Sequence, residues 1–257
     1  MIASRLRRCS PADTGGINIK LRNTVLTGVL VLVLAIAGGL VWLYSSLDSL
    51  AQAAIEKYGP EITQVSVHVS GVKLAPADGR GTIQGLRLGN PPGFKTDSSF
   101  KAGEISLKID TASLTKDVIV INEVVIQSPE VTYESGSSGN NLEAIQKNIE
   151  SYLGKLSAGR QDDAGPKKKL IIDNLHIRDG KVNVNTAFTV GKTVSSAIPN
   201  LHLRDIGRKS NGASAGEVAR QVWGALVRST GSVVSSLGSA IKEGAKGLVE
   251  GTRKLFK

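Results

Sequence analysis

Between Thr24 and Tyr44 the chain reads TVLTGVLVLVLAIAGGLVWLY, 21 residues without a charge. About 20 apolar residues span a bilayer as a helix, and Trp42 and Tyr44 fall where interfacial aromatics gather. Arg5, Arg7, Arg8, Lys20 and Arg22 precede the run against one acid, Asp13. That imbalance predicts a cytoplasmic tail over 1–23, a transmembrane helix over 24–44 and a body across the membrane. The competing reading is a cleaved signal peptide, with Ala51-Gln52-Ala53 as a faint cleavage site. The apolar run exceeds a signal's usual 7–15 residues and the triplet lies well past its end, so an uncleaved anchor is expected.

A net charge of +10 suggests nucleic acid until it is located. From Ser45 to Gly207, eighteen basic residues balance eighteen acidic ones, and beyond that nine basic residues face three acids. The excess thus sits in the two ends, whereas a nucleic-acid surface belongs on the folded body. No nucleic-acid partner is expected. The single cysteine, Cys9, excludes a disulfide framework and a cysteine-based zinc site.

The body reads as sheet. Val65, Val67 and Val69 alternate with polar neighbours, Ile83, Leu86 and Leu88 do so loosely, and Ile105, Leu107 and Ile109 give a clean period of two. Val118 to Ile126 is more continuously apolar, and Val131-Thr132-Tyr133 closes the group. Ser49 to Tyr58 reads as a short helix stopped by Gly59-Pro60. A second helix is expected from Leu142 to Leu156, with Leu142, Ile145, Ile149, Tyr152, Leu153 and Leu156 on one face. A polar loop covers 157–169. Strands resume at Leu170, and Asp179-Gly180 between two alternating runs signals a hairpin. NLHIRDG at Asn174 returns as NLHLRDIG at Asn200, a weak internal echo.

From Ala215 to Lys257 the period becomes helical. Val222, Trp223, Leu226, Val233, Val234, Leu237, Ile241, Ala245, Leu248 and Leu255 share one side of a 100° wheel, and the charged residues share the other. Gly224, Gly231, Gly238, Gly244, Gly247 and Gly251 each cost roughly 1 kcal/mol against alanine. Such a helix needs an apolar surface to lie on. Lys242, Lys246, Arg253, Lys254 and Lys257 would suit anionic headgroups at a membrane surface.

Catalytic constellations are poorly supported, and no enzyme, metal or cofactor is expected. His176 and His202 occupy equivalent places in the echo, where outward-facing sheet histidines are favoured over a two-histidine metal site. Gly79-Arg80-Gly81 with Gly85 misses the dinucleotide fingerprint's spacing and leads into a strand. Asp162-Asp163 have no partner suited to acid–base work.

Two adjacent prolines and a glycine in LGNPPGF stop a strand that cannot pair through them. The order GTIQGLRLGNPPGF, KAGEISLKID, VIVINEVVIQSPEVTYE and GNNLEAIQKNI, behind the apolar run, resembles the N-terminal part of the AsmA-like family. The residues that carry the resemblance are Gly85, Leu86, Leu88, Asn90, Pro91, Gly93 and Phe94, then Asn141 and Leu142. It covers Thr24 to Ile149 well and Leu170 to Gly207 loosely. The motif residues Asn90, Pro91, Gly93, Phe94, Asn141 and Leu142 are architectural on this reading. The resemblance implies an inner-membrane anchor, a periplasmic body and a curved sheet like that of chorein-type bridge-like lipid-transfer proteins, whose apolar groove carries lipid chains.

The resulting expectation is a mainly β, α+β protein: a curved antiparallel sheet forming an apolar groove over 45–207, and an amphipathic C-terminal helix over 208–257. Ile105, Leu107, Ile109, Val118, Val120, Val182 and Val184 are the groove candidates. Read without the resemblance, their aliphatic face is better taken as a core covered by the C-terminal helix than as an open groove. About eight strands span roughly 40 Å, too little to bridge two membranes. The expected function is single-pass, inner-membrane lipid binding in the periplasm, with phospholipid or another acyl-chain lipid as partner and a role in phospholipid transport or outer-membrane homeostasis. The alternative is a non-catalytic envelope scaffold that binds another protein.

Overall fold

The computed structural model describes residues 46–136, 139–159, 168–186 and 193–255, with side chains as far as Ile241. The apolar run at 24–44 and the tail before it lie outside the described residues, as does most of the polar loop. The chain divides into two compact units, Met1–Leu47 and Asp48–Lys257, and the second holds the fold described below. No helix among the described residues is long and apolar enough to cross a membrane.

Helix α1 spans 46–63 and runs through Gly59-Pro60, where the sequence suggests a stop. Proline removes one helical hydrogen bond, but the turn beyond it is secured. The Thr63 hydroxyl donates to Gly59 O at 2.7 Å, and Gln64 N–H donates to Pro60 O at 2.8 Å. Ile62 and Val65 are buried there, and their burial outweighs the lost bond.

Among the described residues eleven strands follow in one mixed sheet: β1 (Val67–His68), β2 (Gly71–Ala75), β3 (Arg80–Leu88), β4 (Phe100–Ile109), β5 (Val118–Gln127), β6 (Glu130–Gly136), β7 (Gly139–Asn140), β8 (Lys169–Arg178), β9 (Lys181–Asn185), β10 (Val194–Ala197) and β11 (Leu201–Ile206). Register shows that most are segments of longer lines. Gln127 pairs with Glu104 and Glu130 with Lys101, so β5 and β6 form one line against β4. Gln127 pairs with Arg178 and Glu130 with Lys181, so β8 and β9 form the next line. Ala197 pairs with Lys181 and Leu201 with Ile177, which joins β10 to β11. β1 and β2 join in the same way against β3.

Asp179-Gly180 makes no hairpin, because β8 and β9 are collinear and both pair with other strands. The sheet is also not wholly antiparallel. The β5–β8 and β6–β9 junction is parallel, and helix α2 (Asn141–Ser157) supplies the crossover that such a junction needs.

The breaks align. Extending each register places Ser70, Gly85, Gly103, Ser128, Asp179 and Pro199 side by side across the sheet. Gly85, Ser128 and Asp179 have φ of 62°, 49° and 53°. Each line carries one extra residue there, which bends the strand and inverts its alternation beyond that point. Consequently the rows Leu88–Phe100–Val131–Val182 and Ile83–Ile105–Ile126–Ile177 face the same side of the sheet. A shorter crease repeats this at Asn122, Asp173 and Asp205, whose φ is 54°. Arg208 bridges the two aspartates of that crease.

Helices cover that side. Asn140 caps α2 by accepting from Glu143 N–H at 2.9 Å. Leu142, Ile145, Ile149 and Tyr152 are buried beneath it, while Leu153 and Leu156 are half-buried. Helix α3 (Ala215–Leu255) begins in a capping box: Ser214 N–H donates to the Glu217 carboxylate at 2.7 Å, and Glu217 N–H returns to Ser214 Oγ at 3.3 Å. The apolar stripe of α3 packs through Trp223, Leu226 and Val234, and Val222, Val233 and Leu237 are half-buried. Ile241 is 40% exposed, so burial fades toward that point.

Candidate functional site: an apolar slot beneath two helices

Beneath α2 and α3, against the creased sheet, lies a cavity of about 230 Å³. Leu86, Leu88, Phe100, Ile126 and Ile177 supply its sheet wall, Ile149 comes from α2, and Ala219, Val222, Trp223 and Leu226 come from α3. Thr63 closes the α1 end. Phe100 and Trp223 meet edge to face, with centroids 6.4 Å apart. The Trp223 indole N–H donates to Leu142 O at 2.9 Å. That bond satisfies the wall's one aromatic donor, so an apolar occupant is not opposed by an orphaned polar group. Leu86 and Val222 stay half-exposed, which carries the slot to the surface.

The groove candidates separate. Val182 and Val184 are fully covered at 0% exposure, and Ile105 is buried at 6%. These three belong to the packed core. Leu107 is half-buried against that core. Ile109 pairs with Ile121 and continues the inward row. Val118 and Val120 fall on the opposite face, because the extra residue at Asn122 inverts the alternation of β5. Of the lining residues on α3, Val222, Trp223 and Leu226 lay in the stripe read from the sequence and Ala219 did not, and nothing in their spacing assigns any of them to a cavity rather than to core. The membrane-surface candidates Lys242, Lys246, Arg253, Lys254 and Lys257 lie beyond the described side chains.

The motif residues form a buried polar joint beside the slot. The Asn141 side chain is fully buried. It donates to Asn90 Oδ1 and to Thr132 O, both at 2.8 Å, and accepts from Glu134 N–H at 2.9 Å. Asn90 in turn donates to Thr96 O at 2.7 Å. Glu134, which the sequence reading passes over, accepts from Lys95 N–H at 2.7 Å and from Thr96 N–H at 2.8 Å, and it also binds the Thr96 hydroxyl. Burial alone would raise its carboxyl. The Thr96 hydroxyl and the two amides outweigh that effect and hold it below the ordinary carboxylate range. Phe94 lies against Gly136, where an added Cβ would sit 3.0 Å from the ring. Pro91 is buried and Gly93 turns with φ 97°. Leu142 is buried in the core.

His176 and His202 pair directly across β8 and β11 and stack with centroids 4.1 Å apart. Burial first, then the neighbouring His176, Arg204 and Arg178, hold His202 below its ordinary value. Among the described residues no three groups gather as metal ligands. Compared with known protein families and with curated protein sequences, the chain matches none.

Proposed function

We propose that this chain is a non-catalytic lipid-binding protein, anchored in the bacterial inner membrane by its apolar run and exposed in the periplasm. On this reading it serves as an AsmA-like module in phospholipid transport or outer-membrane homeostasis. The observation that carries the proposal is the slot: about 230 Å³, walled by aliphatic and aromatic side chains and reaching the surface. Apolar cavities of about 150 Å³ stay dry and take up benzene-sized molecules, so this one has room for a longer stretch of hydrocarbon. The ligand-facing set proposed is therefore Leu86, Phe100, Ile149, Ala219, Trp223 and Leu226, which line the slot, in place of Val182 and Val184, which do not. The uncharged run and its basic flank support the anchor.

Ala219 lines the slot from α3, so a larger side chain there fills the space without cutting the core. Native mass spectrometry of the full-length protein should detect bound phospholipid or fatty acid. Ala219→Phe should lose most of that lipid while keeping its helical and sheet signals. Lipid-free parent protein, or equal lipid in parent and variant, would show that the slot is ordinary core packing.

A further inference from the structure

We infer that the β10 edge of the sheet is a strand-accepting site for an extended, uncharged segment of a partner protein whose flanking surface is acidic. The two edges of the sheet are treated differently. Along β1 and β2, helix α1 occupies the free backbone groups: Leu74 N–H donates to Asp48, Val69 N–H donates to Glu56, and Gln52 donates to Val69 O, at 2.8–3.1 Å. These three side chains are spaced at i, i+4 and i+8 on one helical face. An unprotected edge is a template for another strand, and this one is closed.

The opposite edge has no such cover among the described residues. β10 ends the sheet, pairing only with β9. Ile198 N–H donates to Gly180 O at 2.8 Å, and Lys181 N–H turns the other way to Pro129 O. By antiparallel alternation the backbone groups of Ser195 and Ala197 point away from β9. Both residues are exposed. Pro199, just beyond, has no N–H and limits pairing to this short stretch.

A groove of about 610 Å³ runs beside this edge, between Ser196–Pro199 and the Ser232–Ala240 part of α3. Its α3 wall carries small residues at four-residue spacing, Ser232, Ser236 and Ala240, and Ser236 already donates its hydroxyl to Ser232 O at 3.0 Å. Among the described residues no charged side chain lines the groove. Free backbone beside an uncharged trough suits an extended strand that places alternate small apolar side chains in it. The α3 helix crosses the covered face from the slot to β10 and stays helical to Leu255. At 1.5 Å per residue its last fourteen residues extend roughly 21 Å farther, enough to roof about four added strands at 4.7–4.9 Å spacing.

Charge selects the occupant. From Lys242 to Lys257 the sequence holds five basic residues and two acids. A second copy at this edge would bring two such basic segments together, whereas an acidic flank on a different protein complements them. The inference goes beyond lipid binding and does not depend on it.

The test uses full-length isotope-labelled protein and a capped decapeptide of alternating valine and threonine with two C-terminal aspartates. In the free protein, the amides of Ser195 and Ala197 should exchange faster than those of Val69 and Leu74. Peptide binding should slow Ser195 and Ala197 at least tenfold. Ala197→Pro removes an outward N–H that β9 does not use, and Ser236→Trp fills the trough; each should weaken binding at least tenfold without lowering the melting temperature. The inference is overturned by no binding at millimolar peptide, or by undiminished binding in Ser236→Trp. It is equally overturned if the same amides become protected as the protein's own concentration rises, which marks a second copy, or on phosphatidylglycerol vesicles alone, which marks a membrane.

Discussion

Asn141 uses its whole amide inside the fold, and through it two segments about fifty residues apart share one buried joint. Asn90 and Asn141 were legible in the sequence through their place in the resemblance. Glu134 was not. It stands within an alternating strand, β6, where a carboxylate normally faces water, and only the amides of Lys95 and Thr96 show otherwise. A pH dependence follows. The folded-state pKa of Glu134 is depressed, so its contribution is full above the unfolded value of about 4.3. That contribution is lost as pH falls through the lower folded value. Denaturant melts of the parent should therefore lose stability below about pH 4.3 through this group. Glu134→Gln should lose roughly 1–3 kcal/mol at pH 7, since its amide meets donors where the carboxylate accepted. The variant should also show a smaller loss on acidification. An unchanged acid limb would remove Glu134 from this role.

Among the elements, periodicity identified the strands of Ile105 and Val124, helix α2 and most of α3, because each buries one face with a regular repeat. The creases were not legible. Asp-Gly offers the same left-handed conformation to a two-residue turn and to a bulge, and long-range pairing decides between them. Asp179 takes φ 53°, and pairing with β5 and β6 on one side and with β10 and β11 on the other carries the line onward instead of turning it back. The same extra-residue logic moves Val118 and Val120 to the other face, where a strict period of two kept them with Ile105. The two glycines of the crease should respond differently. Gly85 has φ 62°, and an added Cβ would lie 2.2 Å from Ser70 Oγ, whereas Gly103 has nothing within 4 Å. Gly85→Ala should cost about 2–3 kcal/mol in urea unfolding, from left-handed strain and the clash. Gly103→Ala should stay within about 0.5 kcal/mol. Equal costs would mean that the crease does not depend on backbone conformation at Gly85.

For the whole molecule, the α+β class, the large sheet and the terminal helix were readable from pattern alone. Whether the aliphatic face is groove or core was not, since both demand the same apolar rows. The fold gives an intermediate answer: Val182, Val184 and Ile105 are core, and an open slot persists where α3 crosses Phe100 and Ile177. Trp223 stands in its wall and is one of two tryptophans in the chain, so Trp42→Phe leaves it as the single reporter. The most direct measurement is the fluorescence of that variant, titrated with phosphatidylcholine brominated along its acyl chains. Lipid entering the slot should quench Trp223 saturably, and the added Ala219→Phe change should abolish the quenching. An unquenched Trp223 in folded protein, or quenching unaffected by Ala219→Phe, would contradict a lipid-binding slot.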